Sequence, residues 1–238
     1  MKKLNVIFIV LGIICFLVAG YIVTEKILVT DKDVEIDKEK EIKELNDHLA
    51  KVGSSLGWLI VKEGIDSQSD DGKYSPKYNY NYLEKYENRQ LFVMEYILTY
   101  PDNLDKFIVL SGGDLSLVDE EPTSDFTLAY LDYDTFNSYY KSLLGDSYIL
   151  NKSKKGDTKY DKDYVYFDNR HPGSNGVYVS MITSDNVKYE KGEFIADIKV
   201  TYSTRLADIL GVDTSSGIIS YTKDSDNNII LKSFILNK

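Results

Sequence analysis

The chain has 238 residues, with 38 acidic against 28 basic side chains and a net charge of −10. That balance repels phosphate backbones and argues against nucleic-acid binding. Hydrophobic residues make up 43 %, enough for a folded core, and the one cysteine, Cys15, leaves the rest of the chain without disulfides or a thiol nucleophile.

Lys2 and Lys3 precede residues 6–23 (VIFIVLGIICFLVAGYIV), a run without charge. As a helix at about 1.5 Å per residue it reaches roughly 27 Å, close to the hydrocarbon thickness of a bilayer. The positive flank predicts a transmembrane anchor with its N-terminus inside and residues 24–238 outside the cytoplasm. The alternative is a signal peptide cut after Gly20 in Val18-Ala19-Gly20, although apolar residues continue through Val23. Cys15 follows Ile14 rather than a small residue, which argues against a lipid-modified cysteine.

Residues 24–41 are rich in charge and read as a short stalk. Next, Ile42, Leu45, Leu49, Val52, Leu56 and Leu59 recur at spacings of three and four, the seam of a heptad helix. Gly53-Ser54-Ser55 and Gly57 interrupt it. The seam packs against its own domain in one reading; in the other, Ile42, Leu45, Leu49 and Val52 pair two copies in weak self-association. Residues 64–81 read as a loop by composition. A second helix is expected over residues 82–100, with Leu83, Tyr86, Leu91, Met94, Ile97 and Leu98 on one side and Pro101 as its stop. Residues 104–110 read as a short helix or strand, and Asp119-Glu120-Glu121-Pro122 as an acidic loop. A third helix carries Phe136, Tyr139, Tyr140, Leu143 and Leu144 on one face, with Gly145 as its C-terminal cap.

The last third changes period. Phe194, Ala196, Ile198, Val200 and Tyr202 alternate with polar residues, as do Val177, Val179 and Met181, and residues 164–168 are a shorter candidate strand. Residues 218–222 and 229–236 flank a turn, KDSDNN, and predict a hairpin. Residues 203–210 read as one or two helical turns ended by Gly211. The expected class is therefore α+β: an N-terminal transmembrane helix, then helices on one face of an antiparallel β-meander. The expected organisation is an anchor over 1–23, a stalk over 24–41 and an extracytoplasmic domain over 42–238, with a candidate division near 113–125.

Anchor, stalk, the helix FNSYYKSLLG at residues 136–145 and the late meander together resemble membrane-anchored surface proteins of low-GC Gram-positive bacteria. The order of helices then sheet is also similar to the NTF2-like (cystatin-like) cone over residues 125–238. That group holds enzymes and binding modules alike, so the resemblance implies a fold and carries over no functional residue.

Asp224-Ser225-Asp226-Asn227-Asn228 starts like a calcium loop, but Ile229 stands where the turn glycine belongs, so a hairpin turn is the better reading. Asp66, Gln68, Asp70 and Asp71 form a second oxygen-rich stretch and read as a solvated loop. His48, beside Asp47, reads as a surface residue of the heptad helix. His171, with Arg170 in a turn-rich loop, is a candidate anion ligand or general base. Tyr78, Tyr80 and Tyr82 crowd one loop, and their rings with hydroxyl tips suit glycan or peptide contact. Coding bias also raises tyrosine, because 25 of the 28 basic residues are lysine. No cofactor or metal motif stands out in the sequence. The chain therefore reads as a binding module for a cell-envelope protein or wall glycan rather than an enzyme. The alternative is an envelope hydrolase using carboxylates with His171.

Overall fold

A computed structural model describes residues 36–66, 75–99, 108–111, 127–149, 158–161, 164–168 and 177–237. The predicted span over residues 6–23 and the candidate division near 113–125 lie outside these. Among the described residues no helix is long and apolar enough to cross a membrane.

The fold is α+β. Helix α1 spans Lys38–Asp66, α2 Tyr86–Thr99, α3 Tyr133–Leu144 and α4 Thr204–Leu210. Strands β5 (Val179–Glu190), β6 (Glu193–Tyr202), β7 (Thr214–Lys223) and β8 (Ile229–Leu236) form an antiparallel meander in sequence order. A second antiparallel sheet joins β1 (Ile108–Ser111), β2 (Thr127–Asp132), β3 (Thr158–Asp161) and β4 (Tyr164–Asp168) in the order β1-β2-β4-β3. The predicted succession of helices and then one meander is thus corrected: α3 follows directly on β2, and a second sheet is built from strands of four to six residues. Of these, β4 matches the strand expected over residues 164–168 and β1 overlaps the piece expected over 104–110, whereas β2 and β3 have no counterpart among the expected elements. Strands of four to six residues carry few alternations to read.

α1 is the element on which the rest is laid. The stalk ends four residues earlier than expected, because Asp37 starts the helix: its carboxylate accepts from Lys40 N at 3.2 Å and its carbonyl from Glu41 N at 2.9 Å. The helix then runs unbroken through Gly53 and Gly57, against the expected interruption. Leu45, Leu49, Val52, Leu56 and Leu59 are buried and Ile42 is partly buried. The seam therefore lies in the domain's own core, and Leu45, Leu49 and Val52 offer no surface to a second copy. The two glycines are where α1 lies flush on β5: a Cβ at Gly57 would stand 2.5 Å from Val179 Cβ.

β5 bends around the helix through two bulges. Its register with β6 skips Ser180 and Asp185, and each skip places two exposed residues in succession, 180–181 and 185–186. The predicted alternation of Val179 and Met181 fails for this reason. Met181 is 54 % exposed, and Ile182 turns inward in its place. The second bulge is held by α1 itself. Asn46 Nδ2 donates to Ser184 O at 2.8 Å, and Ser184 N donates to Asn46 Oδ1 at 2.7 Å. One carboxamide thus serves the backbone of β5 as a neighbouring strand would.

The two expected C-terminal caps, Gly145 and Gly211, hold, and the structure adds an N-cap to each of their helices. Asp132 accepts from Thr135 N at 2.8 Å to open α3, and Gly145 closes it at φ 77°. Ser203 caps α4, and Gly211 ends it at φ 70°. Phe136, Tyr140, Leu143 and Leu144 are buried as predicted, while Tyr139 is half-buried against Tyr96.

The two α1 glycines separate packing from propensity. Gly57→Ala is expected to lower stability in urea unfolding by about 1–3 kcal/mol, the range for overpacking a tight contact. Gly53→Ala meets only Ile182, at 3.8 Å. It is expected to be neutral or to stabilise by up to about 1 kcal/mol, the helix-propensity gain over glycine.

Candidate functional site: an aromatic and lysine surface at the end of the long helix

The tyrosine loop is organised by a residue that the sequence reading passed over. Glu63, 4 % exposed, projects from the last turns of α1. Lys77 Nζ donates to its Oε2, Asn88 Nδ2 to its Oε1 at 2.8 Å, and Lys85 Nζ lies 3.5 Å from Oε1. Burial works to raise this carboxyl's pKa, but Lys77, Asn88 and Lys85 outweigh it and hold the group below the ordinary glutamate value. The buried polar Asn88 of α2 is explained by this bond.

Above Glu63 the two ammonium groups share one ring. Lys77 Nζ lies 5.3 Å and Lys85 Nζ 5.6 Å from the centroid of Tyr80. Lys85 is half-exposed at its side chain and Lys77 is one-third exposed. Tyr78 and Tyr80 are half-buried, and Asn79 between them takes a left-handed turn at φ 54°.

Tyr82 belongs to the core instead. It has no exposed surface, its ring meets Tyr80 edge-on at 5.2 Å and Phe234 at 5.6 Å, and its hydroxyl donates to Lys77 O and accepts from Lys77 N. Its role as a ligand contact is withdrawn: a large ring beside a strand edge gains more from packing than from exposure.

The loop is fixed along the outer edge of β8. Asn79 N donates to Leu236 O at 2.7 Å, Tyr82 N to Phe234 O at 2.8 Å, and Phe234 N to Asn81 Oδ1 at 3.1 Å. The segment thus covers part of the edge strand. Asn81 also accepts from Leu83 N and Glu84 N, which makes a turn of residues 82–85 and delays α2 to Tyr86. Tyr86 leaves the loop altogether. It stacks on Tyr148 at 5.3 Å and 16°, within a group completed by Tyr133, Phe136 and Tyr140. Tyr86 accepts from Ile149 N and donates to its carbonyl, so the chain leaving α3 is held by aromatic hydroxyls.

A second charge cluster marks the other end of α1. Lys223 Nζ donates to Glu41 at 2.7 Å and to Glu44 at 2.6 Å, with Tyr221 Oη 3.4 Å from Glu41. Burial alone would lower the Lys223 pKa, yet the two glutamates more than offset it and hold it above the usual lysine value. The nearby KDSDNN turn is self-contained: the Asp224 carboxylate accepts from Asp226 N, Asn228 N and Asn228 Nδ2 at 2.8–3.0 Å. The hairpin reading of that stretch holds.

Arg170 and His171 lie outside the described residues, as do Gln68, Asp70 and Asp71. Burial raises Glu95 of α2 to about 7 against the opposing charge of Lys62, the kind of acid a hydrolase needs, but the histidine of that alternative is not among the described residues. Among those described, no three His, Cys, Asp or Glu side chains gather as metal ligands would. Comparison with family models, curated proteins and solved structures finds no match to the chain.

His48 is not the surface residue expected. Its Nε2 is shielded from solvent without a hydrogen-bond partner, and burial first, then the Lys51 charge, lowers its pKa from 6.5 to about 4. A depressed folded-state pKa contributes stability present above the unfolded value and lost as pH falls through the folded one. The domain is therefore expected to lose up to about 3 kcal/mol between pH 6.5 and pH 4 through this ring. His48→Gln should flatten that decline in denaturant unfolding at pH 7 and pH 4.5; parallel pH profiles for the two proteins would count against it.

Proposed function

We propose that the chain is a single-pass membrane protein of the cell envelope. An N-terminal transmembrane helix over residues 6–23 holds the α+β domain outside the cytoplasm. The domain acts by binding an envelope partner, a protein or a wall glycan; the apolar N-terminal run and the acidic, thiol-free remainder of the chain support this reading. The contact is made by Tyr78 and Tyr80 with Lys77 and Lys85.

One observation carries this reading. The chain arriving from residues 1–35 enters at the N-terminal end of α1, whereas Glu63 holds the tyrosine and lysine surface at the other end. From Lys38 to Glu63 is about 38 Å at 1.5 Å per residue. A domain tethered at one end of such a helix presents the opposite end to its surroundings. There the outward groups are aromatic rings flanked by ammonium and amide donors, on a chain that is otherwise acidic. Rings of this kind bind sugars or peptides through their apolar faces at small entropic cost. The Tyr80 hydroxyl itself is turned away from solvent, so its contact is through the ring.

The full chain in detergent micelles, titrated with purified wall glycan and with envelope extract, tests the reading. Tyr80→Ala is expected to weaken capture about tenfold, the loss typical of an aromatic anchor, while Ser225→Ala in the distant hairpin turn leaves it unchanged. Equal binding by both variants, with both melting as folded proteins, would remove the assignment. A C-terminal tag resistant to added protease in intact cells would remove the proposed topology.

A further inference from the structure

The first two turns of α1 touch the domain through few groups. Residues 37–40 are exposed, and the inward positions that follow are Glu41, Ile42 and Glu44, none of them fully buried. Ile36 and Ile42 add partial apolar contact. Full burial starts at Leu45, and the first backbone anchorage is that of Asn46 on Ser184.

Ahead of that point the strongest link among the described residues is ionic. Lys223, one-tenth exposed at its side chain, donates to Glu41 at 2.7 Å and Glu44 at 2.6 Å, and lies 5.3 Å from the Phe194 ring centroid. Asn227 Nδ2 reaches Glu44 at 3.5 Å. Glu41 and Glu44 are three residues apart on one helical face, so without the ammonium between them they repel. A half-buried glutamate that loses its partner regains solvation by leaving the sheet. These turns can leave, because they carry little apolar surface with them.

We propose that residues 38–44 form a releasable clasp, locked by Lys223, which detaches and unwinds as a unit while α1 from Leu45 onward stays docked. Seven residues lengthening from about 1.5 to about 3.3 Å each add roughly 12 Å to the connection with the preceding chain. The clasp thus sets how far the domain stands from whatever holds residues 1–35, and tension on those residues loads it first. This inference is independent of what the tyrosine surface binds.

Hydrogen exchange of the full chain in detergent micelles, read over residues 41–48 and 52–63, tests it. Lys223→Met keeps the apolar stem and removes the ammonium. It is expected to speed exchange about tenfold at amides 41–45, the scale of a local opening, and to leave 52–63 unchanged. Unchanged exchange at 41–45 overturns the clasp; equal acceleration through 52–63 overturns its local character. If Lys223→Met does not fold, the pair Glu41→Gln and Glu44→Gln removes the same attraction from the helix side, and the same outcomes decide.

Discussion

The close approach of α1 to β5 is the constraint from which the other features follow. A helix of about 43 Å can lie along a strand only if both surfaces yield. α1 yields at Gly53 and Gly57, where there is no Cβ, and β5 yields at Ser180 and Asp185, where bulges bend it. Each concession has a local cost, near 1 kcal/mol for a glycine inside a helix and an unpaired residue for a bulge. Burying the row from Leu45 to Leu59 offsets it, since each large apolar side chain removed from water contributes about 1.5–3 kcal/mol. Asn46 then meets the backbone need that the second bulge creates.

Charge is treated differently at the two ends of this helix. At the N-terminal end Lys223 lies between two glutamates; at the C-terminal end Glu63 lies between two lysines. In both places a buried or nearly buried ion has more than one partner, as desolvation demands. The consequences differ with surrounding burial. Glu63 is bonded to the buried Asn88 and to Lys77, whose backbone holds the Tyr82 hydroxyl, and so fixes a loop against the core. The Lys223 cluster lies where apolar packing is only beginning. The first is a fastening of the fold, and the second is the weaker seam in it.

The tyrosines show how one residue type divides between roles. Tyr82, Tyr140, Tyr148 and Tyr221 are interior side chains, with hydroxyls or rings engaged by neighbours, while Tyr78 and Tyr80 remain partly outward. Composition marked the loop as unusual, but it could not separate Tyr80 from Tyr82 two residues later. Strand alternation does not separate them, since residues two apart share a face. Asn79 is left-handed and residues 82–85 turn, so Tyr82 packs on Phe234 in the core while Tyr80 lies beside the ammonium groups of Lys77 and Lys85. Glu63, by contrast, was open to detection. It follows Leu56 and Leu59 at the next step of the same three-and-four spacing, so an acid falls on the buried stripe and requires a partner there.

The sequence by itself determined whatever depends on neighbours a few residues apart. It set the span-length apolar start, the α1 seam, the caps at Gly145 and Gly211 and the β7–β8 hairpin, because period, capping and turn chemistry act locally. Only the tertiary structure decided what depends on residues far apart. The glycines became a docking surface, Met181 turned outward, the second sheet assembled from short strands, Lys223 closed on Glu41 across 182 positions and the Nε2 of His48 was shielded from solvent. Such partners are chosen by the shape of the packed core, which no local pattern encodes.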